Sequence, residues 1–135
     1  MSAIAGISYE RGKELVHIQD EAVDTDDFSD YLVALAEQHS QRKIAIFIDN
    51  LRVHHTDDVV EMCEALDIMV IYNKPYSPDF NAIEFVFSAV KNHYKRERFH
   101  HENNSIPYQI GDLIERAFRV VKTAHVRNCI NYAMR

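Results

Sequence analysis

Two short apolar runs, separated by a segment of helical pattern, restrict the fold of this chain more than any other feature. The first, KIAIFID at 43–49, is rich in β-branched and aromatic residues, and the second, IMVIY at 68–72, has the same character. The segment DDVVEMCEAL at 57–66 has the apolar spacing of a helix. This order predicts two strands of a parallel or mixed sheet joined by a helical crossover. We expect the strand at 43–49 to be buried on both faces.

The remaining segments add a hairpin and four helices to this unit. Turn residues separate the apolar runs of the hairpin, and the first helix begins with acidic capping residues. The loop NKPYSP holds two prolines, which exclude a helix or a central strand there. The predicted elements are a hairpin from 3–8 and 15–18 around Gly12, a helix at 24–38 capped by Asp24 or Thr25, a helix at 79–98, a connection at 100–105, and helices at 107–122 and 124–133.

Length and composition are typical of one soluble globular domain. The 135 residues are 47% hydrophobic and 27% charged, which is enough apolar material for a core without a stabilising metal or disulfide. We expect a single domain, 1–135, with the sheet and its helices in 1–98 and the C-terminal helices in 99–135. The two cysteines, Cys63 and Cys129, lie in apolar helical segments and are expected to be reduced. Neither a membrane span nor a signal peptide is expected, so we expect a cytosolic or nuclear protein.

Charge is unevenly distributed along the chain. Residues 1–84 hold 6 Lys/Arg and 17 Asp/Glu, whereas residues 85–135 hold 9 Lys/Arg and 4 Asp/Glu. The formal net charge of −6 argues against indiscriminate DNA binding, but it hides a basic C-terminal part. That part could contact nucleic acid, dock an acidic partner, or be a solvated surface.

Two carboxylates are candidates for a metal site. Asp49 ends the first buried strand, and Glu84 begins a helix 34 intervening residues later. Ligands bind beyond the carboxyl ends of strands in open α/β sheets, so a helix that follows the second strand can return to this edge. Two adjacent carboxylates repel each other unless a divalent cation lies between them, and Mg²⁺ prefers such oxygen ligands. The alternative is that both acids serve only hydrogen bonds or a helix N-terminus.

Two blocks of sequence carry a resemblance to a known family. FIDNLRVHH at 47–55 and NKPYSPDFNAIEFVFSAVK at 73–91 resemble the second and third catalytic blocks of the DDE transposases of the mariner and related insertion-sequence group. The spacing between the two acids is also similar to that of the family, and the likeness extends over nearly the whole chain. Ala82 stands where the family usually has Pro and Phe87 where it has Trp, and both differences are compatible with the same packing.

The resemblance implies a fold and a set of site residues. The fold would be α/β, an RNase H-like mixed sheet flanked by helices. Asp49 and Glu84 would match the second and third catalytic acids and bind Mg²⁺, and His54 would match the loop histidine. The remaining motif residues, which are expected to shape the loop and cap the following helix, are Pro75, Tyr76, Pro78 and Asn81.

The family's first catalytic acid has no counterpart in the sequence. It would lie on a central strand that precedes the hairpin, and Asp20 falls after the other hairpin strand and does not match it. We therefore expect an incomplete cation site and a sheet that lacks its central strand. We also expect a protein partner that covers or completes this sheet. A shortened sequence is the alternative explanation.

Two hypotheses about function follow. The first is a domesticated, transposase-derived nuclear subunit, catalytically inactive and without a cofactor, that acts as a scaffold in a larger DNA-acting complex. The second is a Mg²⁺-dependent DDE endonuclease, nuclear or in a prokaryotic cytoplasm, whose first acid comes from another chain or from missing sequence. Candidate contacts to DNA or to a partner are Lys91, Lys95, Arg96, Arg98, Arg116, Arg119 and Lys122.

Overall fold

A computed structural model describes residues 1–49, 56–73 and 81–134 of the protein. Within these residues the fold is mixed α/β, with two small sheets and five helices. None of these helices is long and apolar enough to cross a membrane. The elements are β1 (Ser2–Ser8), β2 (Gly12–Gln19), α1 (Thr25–Gln38), β3 (Ile44–Ile48), α2 (Asp57–Ala65), β4 (Ile68–Tyr72), α3 (Ala82–Asn103), α4 (Ile110–Val120) and α5 (Thr123–Ala133).

The strand–helix–strand prediction is confirmed. β3 and β4 pair in parallel, with Ile44 opposite Ile68 and Ile48 opposite Tyr72, and α2 forms the crossover between them. β1 and β2 form a separate two-stranded sheet, as expected for the predicted hairpin. The chain divides into two compact units, the first comprising Met1–Ala5 and Leu15–Asn81 and the second Gly6–Glu14 and Ala82–Arg135.

The core of the first unit lies between its strands and the helices α1 and α2. Leu32 and Val59 are almost completely buried there, and the apolar side chains of all four strands contribute to the same cluster. The Tyr31 hydroxyl donates to the Leu15 carbonyl at 2.7 Å, which joins α1 to β2. The buried members of the cluster are Ile4, Phe28, Tyr31, Leu32, Leu35, Val59, Cys63 and Ile68.

One sheet face of the first unit differs from the prediction. The side chains of Ile44 and Ile46 on β3 pack against the core. Phe47, which lies between Ile46 and Ile48, is 44% exposed. The prediction that this strand is buried on both faces is therefore wrong. An uninterrupted apolar run predicts a strand but does not specify that both of its faces are covered.

The second unit is built on three helices and the tip of the hairpin. α3 packs against both α4 and α5, and Phe87 of α3 meets Phe118 of α4 edge to face, with ring centroids 6.3 Å apart. Arg127 of α5 donates from Nε to the Tyr9 carbonyl at 2.7 Å and from Nη2 to the Glu10 carbonyl at 3.1 Å. These bonds hold the hairpin turn on α5.

α3 is longer at its C-terminal end than predicted. The sequence predicted an end at Arg98 and a connection at 100–105, but the helix continues to Asn103. An Arg98–Glu102 ion pair of 2.9 Å spans the extra turn, and the Asn104 amide Nδ2 donates to the His100 carbonyl at 2.8 Å. These i,i+4 contacts extend the helix through residues whose polarity suggested a loop.

Candidate active site

Asp49 lies immediately after β3, at the carboxyl end of the parallel pair. Its neighbour across the pair is Asn73, which follows β4 and donates its backbone N–H to the Ile48 carbonyl at 2.7 Å. Asp49 is half-buried and Asn73 is buried. The end of the parallel pair therefore presents a carboxylate beside an amide residue, which is the edge where open α/β sheets bind ligands.

Asn73 was not among the predicted site residues. Its side chain is only 7% exposed, and an amide at that depth requires hydrogen-bond partners. The only sequence signal was its position directly after the apolar run IMVIY, at the start of the two-proline loop. The parallel register pairs Ile48 with Tyr72, so the next residues along the two strands, Asp49 and Asn73, lie side by side.

Glu84 lies in the first turn of α3, where it is the acidic residue closest to the helix N-terminus. The positive end of the helix dipole favours a carboxylate at this position. The Glu84 side chain is half-buried. The backbone carbonyl of Glu84 accepts a hydrogen bond of 3.0 Å from the Ser88 hydroxyl. Asn81, directly before the helix, is buried. The other predicted loop residues, His54, Pro75, Tyr76 and Pro78, lie outside the described residues.

Asp49 belongs to the first unit and Glu84 to the second, so a cation shared by the two remains a prediction. Hard carboxylate oxygens are suitable Mg²⁺ ligands, and in that respect both residues fit the metal that the resemblance implies. In the ranges 1–49, 56–73 and 81–134, no group of three His, Cys, Asp or Glu side chains could hold a metal ion. A metal site built on Asp49 and Glu84 would therefore need further ligands.

The predicted basic contact residues fall into two classes. In the first class each guanidinium pairs with a carboxylate: Arg98 with Glu102 at 2.9 Å, Arg116 with Glu97 at 3.9 Å, and Arg119 with Glu115 at 3.4 Å. The second class is exposed and forms no ion pair with any residue of the described ranges. Its members are Lys91, Lys95, Arg96 and Lys122.

A hydrogen-bonded network accounts for the orientation of Arg98. The Tyr108 hydroxyl donates to Glu102 Oε1 at 2.7 Å, and the same oxygen accepts from Arg98 Nε. The bond from Tyr108, followed by that from Arg98, lowers the pKa of Glu102, and the bond to Glu102 raises the pKa of Tyr108. An anion that binds the Arg98 guanidinium would compete with Glu102 for it.

Comparison with known proteins identifies the family. The sequence model of the DDE superfamily endonucleases matches residues 1–106, which is well over half of the chain. The chain belongs to the DDE superfamily endonucleases. No curated protein matches it.

The match to the DDE superfamily endonucleases includes both Asp49 and Glu84 and extends from β1 past the end of α3. The predicted relationship to DDE enzymes is confirmed at this level, and the mixed α/β architecture agrees with it. The closer relationship to the mariner group, the absence of the first catalytic acid, and the roles of the individual site residues remain predictions. α4 and α5 lie beyond the matched residues.

Proposed function

We propose that this DDE superfamily endonuclease domain is an accessory, scaffolding subunit of a larger nuclear complex that acts on DNA, and that it does not cleave DNA unaided. The proposal is supported by the resemblance, which matches Asp49 and Glu84 to the second and third catalytic acids and leaves the first acid without a counterpart in the sequence. Within the described residues, no group of three His, Cys, Asp or Glu side chains could hold a metal ion. A two-metal site for phosphoryl transfer needs ligands that bridge and hold both cations.

Mg²⁺ belongs to the alternative hypothesis, an endonuclease. In that case Asp49 and Glu84 would hold the ion, which when bound would polarise a phosphoryl oxygen and activate water. Asn73 would support the site by holding the end of β4 beside that of β3 through its bond to the Ile48 carbonyl. The remaining oxygen ligands would come from a partner or from DNA phosphates.

DNA contact is proposed for the unpaired cations of the second unit. Lys91, Lys95 and Arg96 are exposed on α3, and Lys91 and Lys95 are one helical turn apart. Each can approach a phosphate without first breaking an ion pair, because none of the described acids binds them. Arg98, Arg116 and Arg119 would have to exchange a glutamate for a phosphate. We therefore assign the primary phosphate contacts to Lys91, Lys95 and Arg96.

A plasmid-nicking assay tests the proposal. The purified chain is incubated with supercoiled DNA in Mg²⁺ or Mn²⁺, beside Asp49→Asn, Glu84→Gln and the control Asp30→Asn, which changes an exposed acid of α1. We expect no nicking above background from any of the four proteins. Nicking that both site variants abolish and the control retains would overturn the proposal.

The second candidate is a Mg²⁺-dependent DDE endonuclease. The position of Asp49 at the carboxyl end of a parallel strand pair favours this candidate, because ligand sites are commonly built there. In this case the first acid would come from another chain or from sequence outside the 135 residues. Adding the partner subunit to the assay should then raise nicking by the wild-type chain and not by Asp49→Asn.

A further inference from the structure

One face of the β3–β4 pair is apolar and open. The parallel register places Ala45 opposite Met69 and Phe47 opposite Ile71, so these four side chains share one face of the sheet. Met69 is 65% exposed and Ile71 is 48% exposed. We call this set of four residues the open face.

The open face is unusual for a parallel pair. The opposite face is covered in the normal way, because Ile44, Ile46, Ile68 and Val70 pack into the core with α1 and α2. Parallel strands occur almost only where both faces are covered, usually by helices. Contiguous exposed apolar side chains on a soluble protein commonly mark an interaction site. Both arguments indicate that a further element covers this face.

The dimensions of the open face fit a helix. Five residues of each strand are paired, and at a strand rise of about 3.3 Å they extend over about 16 Å. Three turns of an α-helix have nearly the same length, about 16 Å, and one apolar stripe of such a helix can lie along the two strands. An added strand would pair with a sheet edge and would leave the four side chains exposed.

Charge indicates the chemistry of that helix. The first unit, Met1–Ala5 and Leu15–Asn81, contains 14 Asp/Glu and 4 Lys/Arg, a net charge of −10. At one end of the open face Lys43 forms an exposed ion pair with Asp67, with 3.4 Å between Nζ and Oδ2, and at the other end lies Asp49. The field of the unit therefore attracts a cationic partner and repels an acidic one.

We propose that the open face docks an amphipathic helix of a partner protein, with an apolar stripe flanked by Lys and Arg. This surface would receive the protein partner of the proposed function. The inference does not depend on DNA chemistry, and its test measures peptide binding, so either proposal can fail without the other.

A peptide titration tests the inference. The probe is a fluorescent basic amphipathic peptide of about 14 residues, held helical by an i,i+4 cross-link because short isolated helices are marginal in water. We expect saturable binding to the full chain that weakens as salt rises. Met69→Glu should reduce the affinity by about tenfold or more, because it places a charge in an apolar interface. The matched control Phe99→Glu changes an exposed apolar residue of α3 and should leave the affinity unchanged.

Two further peptides separate helix docking from simple charge attraction. A scrambled peptide has the same composition without the apolar stripe, and an acidic amphipathic peptide has the stripe with the opposite charge. Both are expected to bind much more weakly than the probe. Equal binding of the scrambled peptide, or an unchanged affinity of Met69→Glu, would overturn the proposal.

Thiol labelling tests whether the face is open in the isolated chain. The native cysteines, Cys63 and Cys129, are buried, and burial raises the pKa of each thiol, so both should react slowly. A Met69→Cys variant should react nearly as fast as the exposed control Met134→Cys, and added peptide should protect only Cys at position 69. Slow labelling at that position without peptide would overturn the proposal. So would a concentration-dependent dimer that Met69→Glu dissolves, because the occupant would then be a second copy.

Discussion

Gly12 shows how one residue can set the position of the hairpin in the second unit. Its φ of +77° lies in the left-handed region, which glycine adopts without strain. A Cβ at this position would lie 2.7 Å from the Thr123 Oγ1 and 3.0 Å from the Thr123 Cα. Gly12 therefore meets two requirements at once, the backbone conformation of the turn and a close approach to the start of α5.

The change Gly12→Ala should destabilise the protein. We expect a loss of about 2 kcal/mol in the free energy of unfolding, since the left-handed conformation and the contact with a backbone atom each oppose a side chain. Urea unfolding followed by circular dichroism measures this loss. Gly111→Ala, the same change inside α4, should be neutral or stabilising because alanine has the higher helix propensity. Equal effects of the two variants would contradict the argument.

At the scale of elements, α1 has the most fully defined helix start. Asp24 Oδ1 accepts from the Asp27 N–H at 2.9 Å, and Asp27 Oδ2 accepts from the Asp24 N–H at 3.0 Å, which forms a reciprocal capping box. The Gln19 amide Nε2 also donates to Asp27 Oδ2 at 2.9 Å. These bonds, first of all the one from the Asp24 backbone, lower the pKa of Asp27. The ionised form of Asp27 is therefore the form that stabilises the helix start.

The capping box predicts a pH dependence of stability. Because the pKa of Asp27 is lower in the folded state, its contribution is complete above about pH 4 and is lost as the pH falls below that value. Asp27→Asn should be less stable than wild type at pH 7, and the difference should shrink toward pH 2. Urea unfolding across this range measures it. The control Asp30→Asn, on the same helix, should show no such trend, and a constant deficit of Asp27→Asn would contradict the assignment.

The sequence allowed most of the elements to be predicted, because strands, caps and turns depend on local patterns. β3 and its parallel crossover, the hairpin around Gly12 and the Asp24 cap are all confirmed. The exposure of Phe47 could not be predicted, since it depends on what packs over the sheet and not on the composition of the strand. The end of α3 was missed because its last turn consists of polar residues, which form loops equally well.

The candidate site was only partly predictable for the same reason. Asp49 could be placed at the end of a strand from the apolar run before it, and Glu84 at a helix start from the prolines before it. The position of Asn73 opposite Asp49 depends on the register between β3 and β4, which no single-strand pattern encodes. Whether Asp49 and Glu84 share a cation depends on tertiary arrangement, which no local sequence pattern determines.

On the scale of the whole molecule, the two units have opposite charge. The first unit has a net charge of −10, and the second, with 11 Lys/Arg and 7 Asp/Glu, has a net charge of +4. The two units would therefore attract different partners, cationic for the first and anionic for the second. The two proposals accordingly assign the basic protein partner to the first unit and DNA to the second.

DNA binding should depend on the unpaired cations of α3. A variant that combines Lys91→Ala, Lys95→Ala and Arg96→Ala should bind a DNA duplex more weakly than wild type. The plot of log affinity against log salt should also be less steep for this variant, with a slope smaller in magnitude by about 3. The control combines Arg98→Ala and Arg119→Ala, which remove guanidinium groups already paired with glutamates. Fluorescence anisotropy at several salt concentrations measures both. A larger effect of the control would show that the phosphates are contacted by the paired arginines and not by Lys91, Lys95 and Arg96.

The exposure of Met69 also has a chemical consequence. Its thioether is accessible to peroxide, and oxidation to the sulfoxide would place a strongly polar, chiral group in the middle of an apolar surface. Oxidative damage during purification would therefore abolish helix docking without unfolding the protein, and methionine sulfoxide reductase would restore it.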